Sequence, residues 1–298
     1  MRASWPGSMQ SALAATLTTP EWWAMALAAF LVRGGIFLIL VPIIALPTPA
    51  ALITDLSPVV ERVVLGTPTL AGAIVGAASI SLVVLVAAWA GVVGAWIDAA
   101  LTREAASSDE LDLAWSPGGL SSWRAFGIRI TAHIPTLLAI GYAIVRIATI
   151  SYTELTAPDE PGVPVVERVL GQVPDALALV VIAWLLGEAV GALAVRRVSA
   201  GMSETAALLV SVRQLLSPRG LATLVATTIV LLAVALPFAL AAQRAWEHVR
   251  GYLLFGVDAM QLTAAIVVLV ATWVLGLAIV GAALAWRATA WTAEVTTR

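Results

Sequence analysis

A chain of 298 residues that is 61% hydrophobic and only 11% charged, with a mean hydropathy of +0.98, is not a water-soluble domain, which would carry about a quarter charged residues. The formal net charge of −2, and the lack of a basic stripe interleaved with aromatics, exclude nucleic acid as a partner. There is no cysteine, which excludes disulfides, thiolate nucleophiles, iron–sulfur centres and Cys-based zinc sites.

The N-terminal stretch MRASWPGSMQSALAATLTTPEWW has no continuous apolar core before Trp22, so it lacks the form of a cleavable signal peptide. Six apolar runs follow: Trp22–Leu46, Leu70–Ile97, Ile130–Ile150, Ala176–Val195, Gly220–Ala242 and Ala259–Trp286. Each matches the roughly 20 residues that a helix needs to cross the hydrocarbon core. The first carries Arg33, the third His133 and Arg146, and the fourth Glu188; the others are free of charge. The runs do not alternate apolar with polar residues, which excludes a transmembrane barrel. The expected fold is therefore all-α, a polytopic membrane bundle of six transmembrane helices, with residues 1–298 forming one transmembrane domain.

Between the first and second runs stands SPVVERVVLG, and between the third and fourth VPVVERVLGQ. Residues 58–63 and 164–169 are identical, Pro-Val-Val-Glu-Arg-Val. Between the fifth and sixth runs, AWEHVRG places Glu247 where the other copies have Glu61 and Glu167. After each copy comes a tryptophan followed by spaced glycines: Trp89 with Gly91 and Gly94, Trp184 with Gly187 and Gly191, Trp273 with Gly276 and Gly281. This pattern predicts three pseudo-repeated helical hairpins, about 20–98, 123–198 and 219–287, plus short interfacial helices. In each copy of the phrase a short helix would turn its valines inward. Glu61 with Arg62, and Glu167 with Arg168, would then sit side by side in water. The alternative is that these outer-loop positions mark a vestibule or a partner contact.

Ahead of the fifth run, SETAALLVSVRQLLSPRG predicts a cytoplasmic surface helix at about 203–217, capped by Ser203 and ended by Pro218. Leu208, Val212, Leu215 and Leu216 would form its packed face, with Ser211 and Gln214 off it. The segment SALAATLTTPEWW before the first run is a shorter counterpart. A surface helix reading Ser-x-Arg-x-Leu-x-x-Pro-Arg-Gly and running into an apolar span resembles uncharacterised six-helix bacterial membrane families, among them the membrane domain attached to some glycerophosphodiester phosphodiesterases. The resemblance covers the last third of the chain and implies a six-helix membrane fold. It carries over no functional residue, since no catalytic phosphodiesterase domain is present.

Arginine placement sets the expected topology. Arg2, Arg103, Arg124, Arg129, Arg196, Arg197, Arg213, Arg219, Arg287 and Arg298 lie on the side holding the termini, against Arg62, Arg168, Arg244 and Arg250 on the other. Short arginine-rich loops stay in the cytoplasm, so both termini are expected there, in the inner (cytoplasmic) membrane of a bacterium. Trp22, Trp23, Trp96, Trp123, Trp286 and Trp291 fall at the predicted cytoplasmic helix ends, where indoles favour the interface.

Recognisable catalytic chemistry is lacking: there is no GxxxxGK phosphate loop, no HExxH and no GxSxG. His133 and His248 stand at opposite ends of the spans, too far apart for a bis-histidine site. Asp109, Glu110 and Asp112 read as a solvated loop and not as a magnesium site, since no phosphate cradle accompanies them. No cofactor or metal is expected. Arg33 lies near mid-membrane and Glu188 about 12 Å from its helix end. Charges at such depth are expensive unless paired or wet, so the candidate intramembrane polar pair is Arg33 with Glu188. The expected function is a non-enzymatic multi-pass membrane protein: a scaffold, assembly factor or subunit of a membrane complex. Its partners would be the lipid bilayer and other membrane subunits. The alternative is a small-solute permease or the membrane subunit of a transporter, kept open by Pro42, Pro135 and Pro237 in odd-numbered helices.

Overall fold

Hydrocarbon offers no water to the backbone, so an apolar chain must close its hydrogen bonds within each segment. The computed structural model describes residues 4–36, 40, 70–111, 118, 120–156, 165–256 and 258–296, and these are helical almost throughout, with no strand among them. In chain order the helices are α1 (Trp5–Thr18), α2 (Glu21–Phe30), α3 (Leu70–Ala106), α4 (Ser122–Ala132), α5 (Ile134–Thr156), α6 (Val165–Gln172), α7 (Pro174–Ser199), α8 (Glu204–Leu215), α9 (Pro218–Phe255) and α10 (Ala259–Thr296). A π-helical turn, Leu31–Gly35, continues α2. Among the described residues five helices, α3, α5, α7, α9 and α10, are long and apolar enough to cross a membrane. The first apolar run is described only as far as Ile36 and at Leu40, and the first copy of the repeated phrase, with Glu61, Arg62 and Pro42, lies outside the described residues.

Three boundaries differ from the sequence expectation, each for a local reason. Helix α3 runs on to Ala106, because nothing after Gly94 breaks it. Helix α9 runs through AWEHVRG to Phe255, so Glu247 lies within a long helix and not in an outer loop. The residues from Gln243 to Arg250 include neither Gly nor Pro, so nothing in them breaks the helix, and Ala245 and Val249 are buried along it. The third predicted span divides at His133, because Pro135 has no N–H with which to continue the ladder of α4; Leu137 N donates to the His133 carbonyl at 3.0 Å instead.

The chain divides into two compact units. The first comprises Met1–Ala45, Trp89–Arg129 and Ala189–Arg298, and the second Leu46–Ala88 and Ile130–Glu188. In the first unit α9 and α10 form an antiparallel hairpin, and α10 also packs on α1 and α2. Its core is built from small residues: Ala12, Ala15, Ala26, Ala105, Ala285, Ala290 and Ala293 around Trp22 and Leu101 in one cluster, Ala95, Ala99, Ala125, Ala194 and Ala207 around Ile128 and Val195 in another. Small side chains let helix backbones approach closely, which is how helices associate where lipid is as apolar as leucine.

The spaced glycines act in the same way. A Cβ on Gly281 would lie 2.9 Å from the Trp23 carbonyl oxygen, one on Gly91 2.5 Å from Phe126, and one on Gly276 would strike the Phe238 ring. Large apolar side chains such as Leu82, Leu85, Val267 and Val274 point outward. That is the inverse of a water-soluble protein and suits a hydrocarbon surround.

Trp22 and Trp291 are buried in the core of the first unit, whereas Trp96 and Trp123 are exposed as interfacial indoles would be. The α8 face also differs from the expected one. Ala207, Ser211, Gln214 and Leu215 are buried, while Val212 and Leu216 are exposed. A buried acceptor network that claims Gln214 turns the helix, and hydrophobicity alone does not decide its facing.

Gly276→Ala is expected to displace the Phe238 ring, which stands edge-on to Trp273 with centroids 5.6 Å apart, and to cost about 1–3 kcal/mol by overpacking. Gly251→Ala, in the same hairpin with open space around it, should be neutral or stabilising by up to about 1 kcal/mol. Thermal unfolding of the two variants in detergent separates them; equal effects would show that the glycine contact carries no packing.

Candidate functional site

In the first unit, the ends of α7, α8, α9 and α10 meet α1 around one carboxylate. Glu294, on α10, is 1% exposed. Arg219 Nε donates to its Oε1 at 3.0 Å and to its Oε2 at 3.1 Å. Thr223 Oγ1 donates to Oε1 at 3.3 Å. Gln214 Nε2 donates to the Glu294 carbonyl at 3.1 Å, and Gln214 Oε1 accepts from Arg197. Two outer links reach α1: Arg219 Nη2 donates to Ser8 Oγ at 3.0 Å, and Trp5 Nε1 to Thr223 Oγ1 at 2.9 Å. Below this network Thr16 and Thr289 share a hydrogen bond of 2.9 Å between α1 and α10.

A second set of charges surrounds Asp98, on α3. Arg129 Nη2 lies 2.5 Å from Asp98 Oδ2, with both side chains buried. Arg33 and Arg196 stand close enough to act on the same carboxylate. Arg196, 1% exposed, is met by neutral acceptors: its Nε donates to Thr292 Oγ1 at 2.8 Å, Nη1 to the Ala192 carbonyl at 2.9 Å and Nη2 to the Ala288 carbonyl at 2.9 Å. Arg33 donates from Nε to the Ala29 carbonyl at 2.9 Å, and its stem crosses α3 at Gly94, where a Cβ would lie 2.6 Å from Arg33 Cγ. The next residue, Gly34, has φ of +102° inside the π-helical turn, a conformation that L side chains rarely adopt.

The second unit has its own pairs. His133 Nε2 lies 3.3 Å from Glu188 Oε1. Gly187 brings α7 there, since a Cβ on it would lie 3.0 Å from the Ala132 carbonyl oxygen. Arg33 and Glu188 fall in different units, and His133 is the partner in its own unit that meets Glu188. Arg146 reaches Asp175 at 3.8 Å, both partly exposed, as a snorkelling arginine at a helix end would.

Helix α6 carries the second copy of the repeated phrase. Its Val169 packs with Val173, Ala176, Ala143 and Ile150 in one cluster. Glu167 is exposed. Arg168 does not serve Glu167: its Nε lies 2.7 Å from Oε2 of Glu154, at the end of α5, and Gln172 Nε2 donates to Oε1 of the same carboxylate at 2.5 Å. Glu247, on α9, is exposed and accepts from Gln243 Nε2 at 3.1 Å.

Sequence reasoning singled out none of Asp98, Arg129, Glu154, Arg196 and Glu294 as site residues, because all five fall outside the apolar runs. A legible signal existed for the first: the unbroken helix-forming stretch through Ala106 keeps Asp98 in a helix. Asp109–Leu111 form a 3-10 turn, and Asp112 lies outside the described residues. Among the described residues no group of three or more His, Asp or Glu is placed to hold a metal ion.

Chemically, the buried carboxylates are occupied as acceptors for arginine, amide and hydroxyl donors on neighbouring helices. Long apolar helices joined at their ends by buried ionic contacts define the class, a multi-pass helical membrane protein. Comparison with known proteins finds no matching family model, no matching curated protein and no matching solved structure.

Two substitution pairs test these networks by unfolding in detergent. Glu294→Ala leaves Arg219 and Thr223 without their carboxylate acceptor and should cost about 3–5 kcal/mol. Glu204→Gln, which breaks the half-exposed pair with Arg124, should cost about 0–1 kcal/mol. Likewise Glu154→Ala should cost several times more than Glu167→Gln, because Glu154 is buried and paired with Arg168 whereas Glu167 is exposed.

Proposed function

We propose that the chain is a non-enzymatic subunit, scaffold or assembly factor of a larger membrane complex, held in the inner membrane with both termini in the cytoplasm. One observation carries this reading. The buried charges of the first unit are met by side chains and carbonyls of the same bundle, with Glu294 alone drawing on α8, α9 and, through Arg219, α1. Charge used in this way fastens helices into a rigid body, as a platform for partners requires. The arginine excess on the side of the termini supports the orientation.

A second reading, a small-solute permease, draws on the break at Gly34 beside Arg33. Transporters build sites where a spanning helix is interrupted.

The test is the size of the chain in its own membrane. A chromosomally tagged chain, extracted in mild detergent and run on a native gel beside the same chain purified alone, should migrate in a distinctly larger particle. Equal migration would overturn the subunit reading. Loss of a small-solute uptake in the deletion strain, with Arg33→Leu abundant but inactive, would then support the permease.

A further inference from the structure

The apolar runs of α9 and α10 are out of step. The Phe238 and Trp273 rings are in contact, with centroids 5.6 Å apart, and so mark one level of the hairpin. Roughly 9 Å further out, α9 has reached Arg244, just past the end of its charge-free run at Ala242. At that level α10 is at Val267, still inside a charge-free run that begins at Ala259. One wall therefore carries a charge where the facing wall is uncharged.

Between them lies a cleft of about 500 Å³. From α9 come Arg244, His248 and Tyr252, at helical spacing on one face; from α10 come Ala264, Ala265 and Val268, with Gln261 and Thr272. Within hydrogen-bond reach of Arg244 the described residues offer only its own carbonyl's contact with His248, and its guanidinium is exposed. His248 Nδ1 stands 2.7 Å from that carbonyl. A carbonyl only accepts, so Nδ1 carries the proton, and Nε2 is left as an acceptor. The acidic neighbour, Glu247, is held by Gln243 Nε2 at 3.1 Å and does not line the cleft.

We infer that this cleft binds a phospholipid, with its phosphate on Arg244 and Tyr252 and an acyl chain along Ala264, Ala265 and Val268. A guanidinium and a phenol hydroxyl on one face of α9 both donate, which suits a phosphodiester oxygen pair. Their place, just beyond the apolar run of α9, is the depth of lipid headgroups. Free phosphate shares the headgroup chemistry but has no use for the alanine wall. The inference stands under either reading of the protein's role.

The experiment is native mass spectrometry of the detergent-purified chain titrated with dioleoyl phosphatidylglycerol, with dioleoylglycerol and inorganic phosphate as separate arms. The intact chain should retain one tight phosphatidylglycerol. Arg244→Ala should weaken it roughly ten- to hundredfold, the effect of losing a charge-assisted contact. Ala265→Trp, which fills the wall without changing charge, should weaken it comparably. Arg250→Ala, outside the cleft, should leave it unchanged, as should removing lipid chemistry from the competitor: neither dioleoylglycerol nor millimolar phosphate should displace the lipid. Equal loss in Arg244→Ala and Arg250→Ala would reduce the effect to general surface charge and overturn the site. Displacement by inorganic phosphate would also overturn it, in favour of a free-anion site.

Discussion

The first unit depends on one constraint: a carboxylate that is 1% exposed must be met on every side. Removing an ion from water costs several kcal/mol even after relaxation, and only good geometry with further hydrogen bonds offsets that cost. Glu294 meets the requirement by drawing Arg219, Thr223 and Gln214 together. The consequences spread outward. Arg219 reaches Ser8, so α1 is brought against α9. Gln214 must face inward, so α8 shows Val212 and Leu216 to its surroundings. Two of the four residues of the expected apolar stripe, Val212 and Leu216, are thus turned out, while Leu208 and Leu215 stay packed.

The body of the bundle obeys a different rule. Between helices in hydrocarbon the hydrophobic effect supplies little, and close van der Waals contact takes its place. Alanines fill both core clusters of the first unit, and glycines stand where a Cβ would strike a ring or a carbonyl. The two rules meet at Gly94, where the missing Cβ makes room for the stem of Arg33 to pass along α3 toward the charges around Asp98. Packing and charge placement are therefore one arrangement at that point, and the neighbouring break at Gly34 belongs to it.

The α9–α10 hairpin shows how register creates a surface that composition does not announce. Each helix alone is an apolar run with a polar end. Side by side and offset, they set Arg244 and His248 opposite uncharged α10. That pairing of a charged and an uncharged wall is a product of register, and the proposed lipid site rests on it.

The sequence by itself determined the membrane class, the helical content, and the positions of most spans. Runs of apolar residues without alternation admit few other solutions in a chain this poor in charge. It also placed the short helix at Val165–Gln172, the helix at Glu204–Leu215, and the glycines at which helices approach. What only the tertiary structure decided is which charge meets which. Arg168 stands next to Glu167 in the chain but turns to Glu154, and Arg196 finds hydroxyl and carbonyl acceptors in place of a carboxylate. The physical reason is reach. Helical periodicity tells which face a residue occupies but not which residue of another helix stands level with it. That depends on the axial register between helices, set jointly by small-residue packing and by the need of buried charges such as Glu294 and Asp98 to be met.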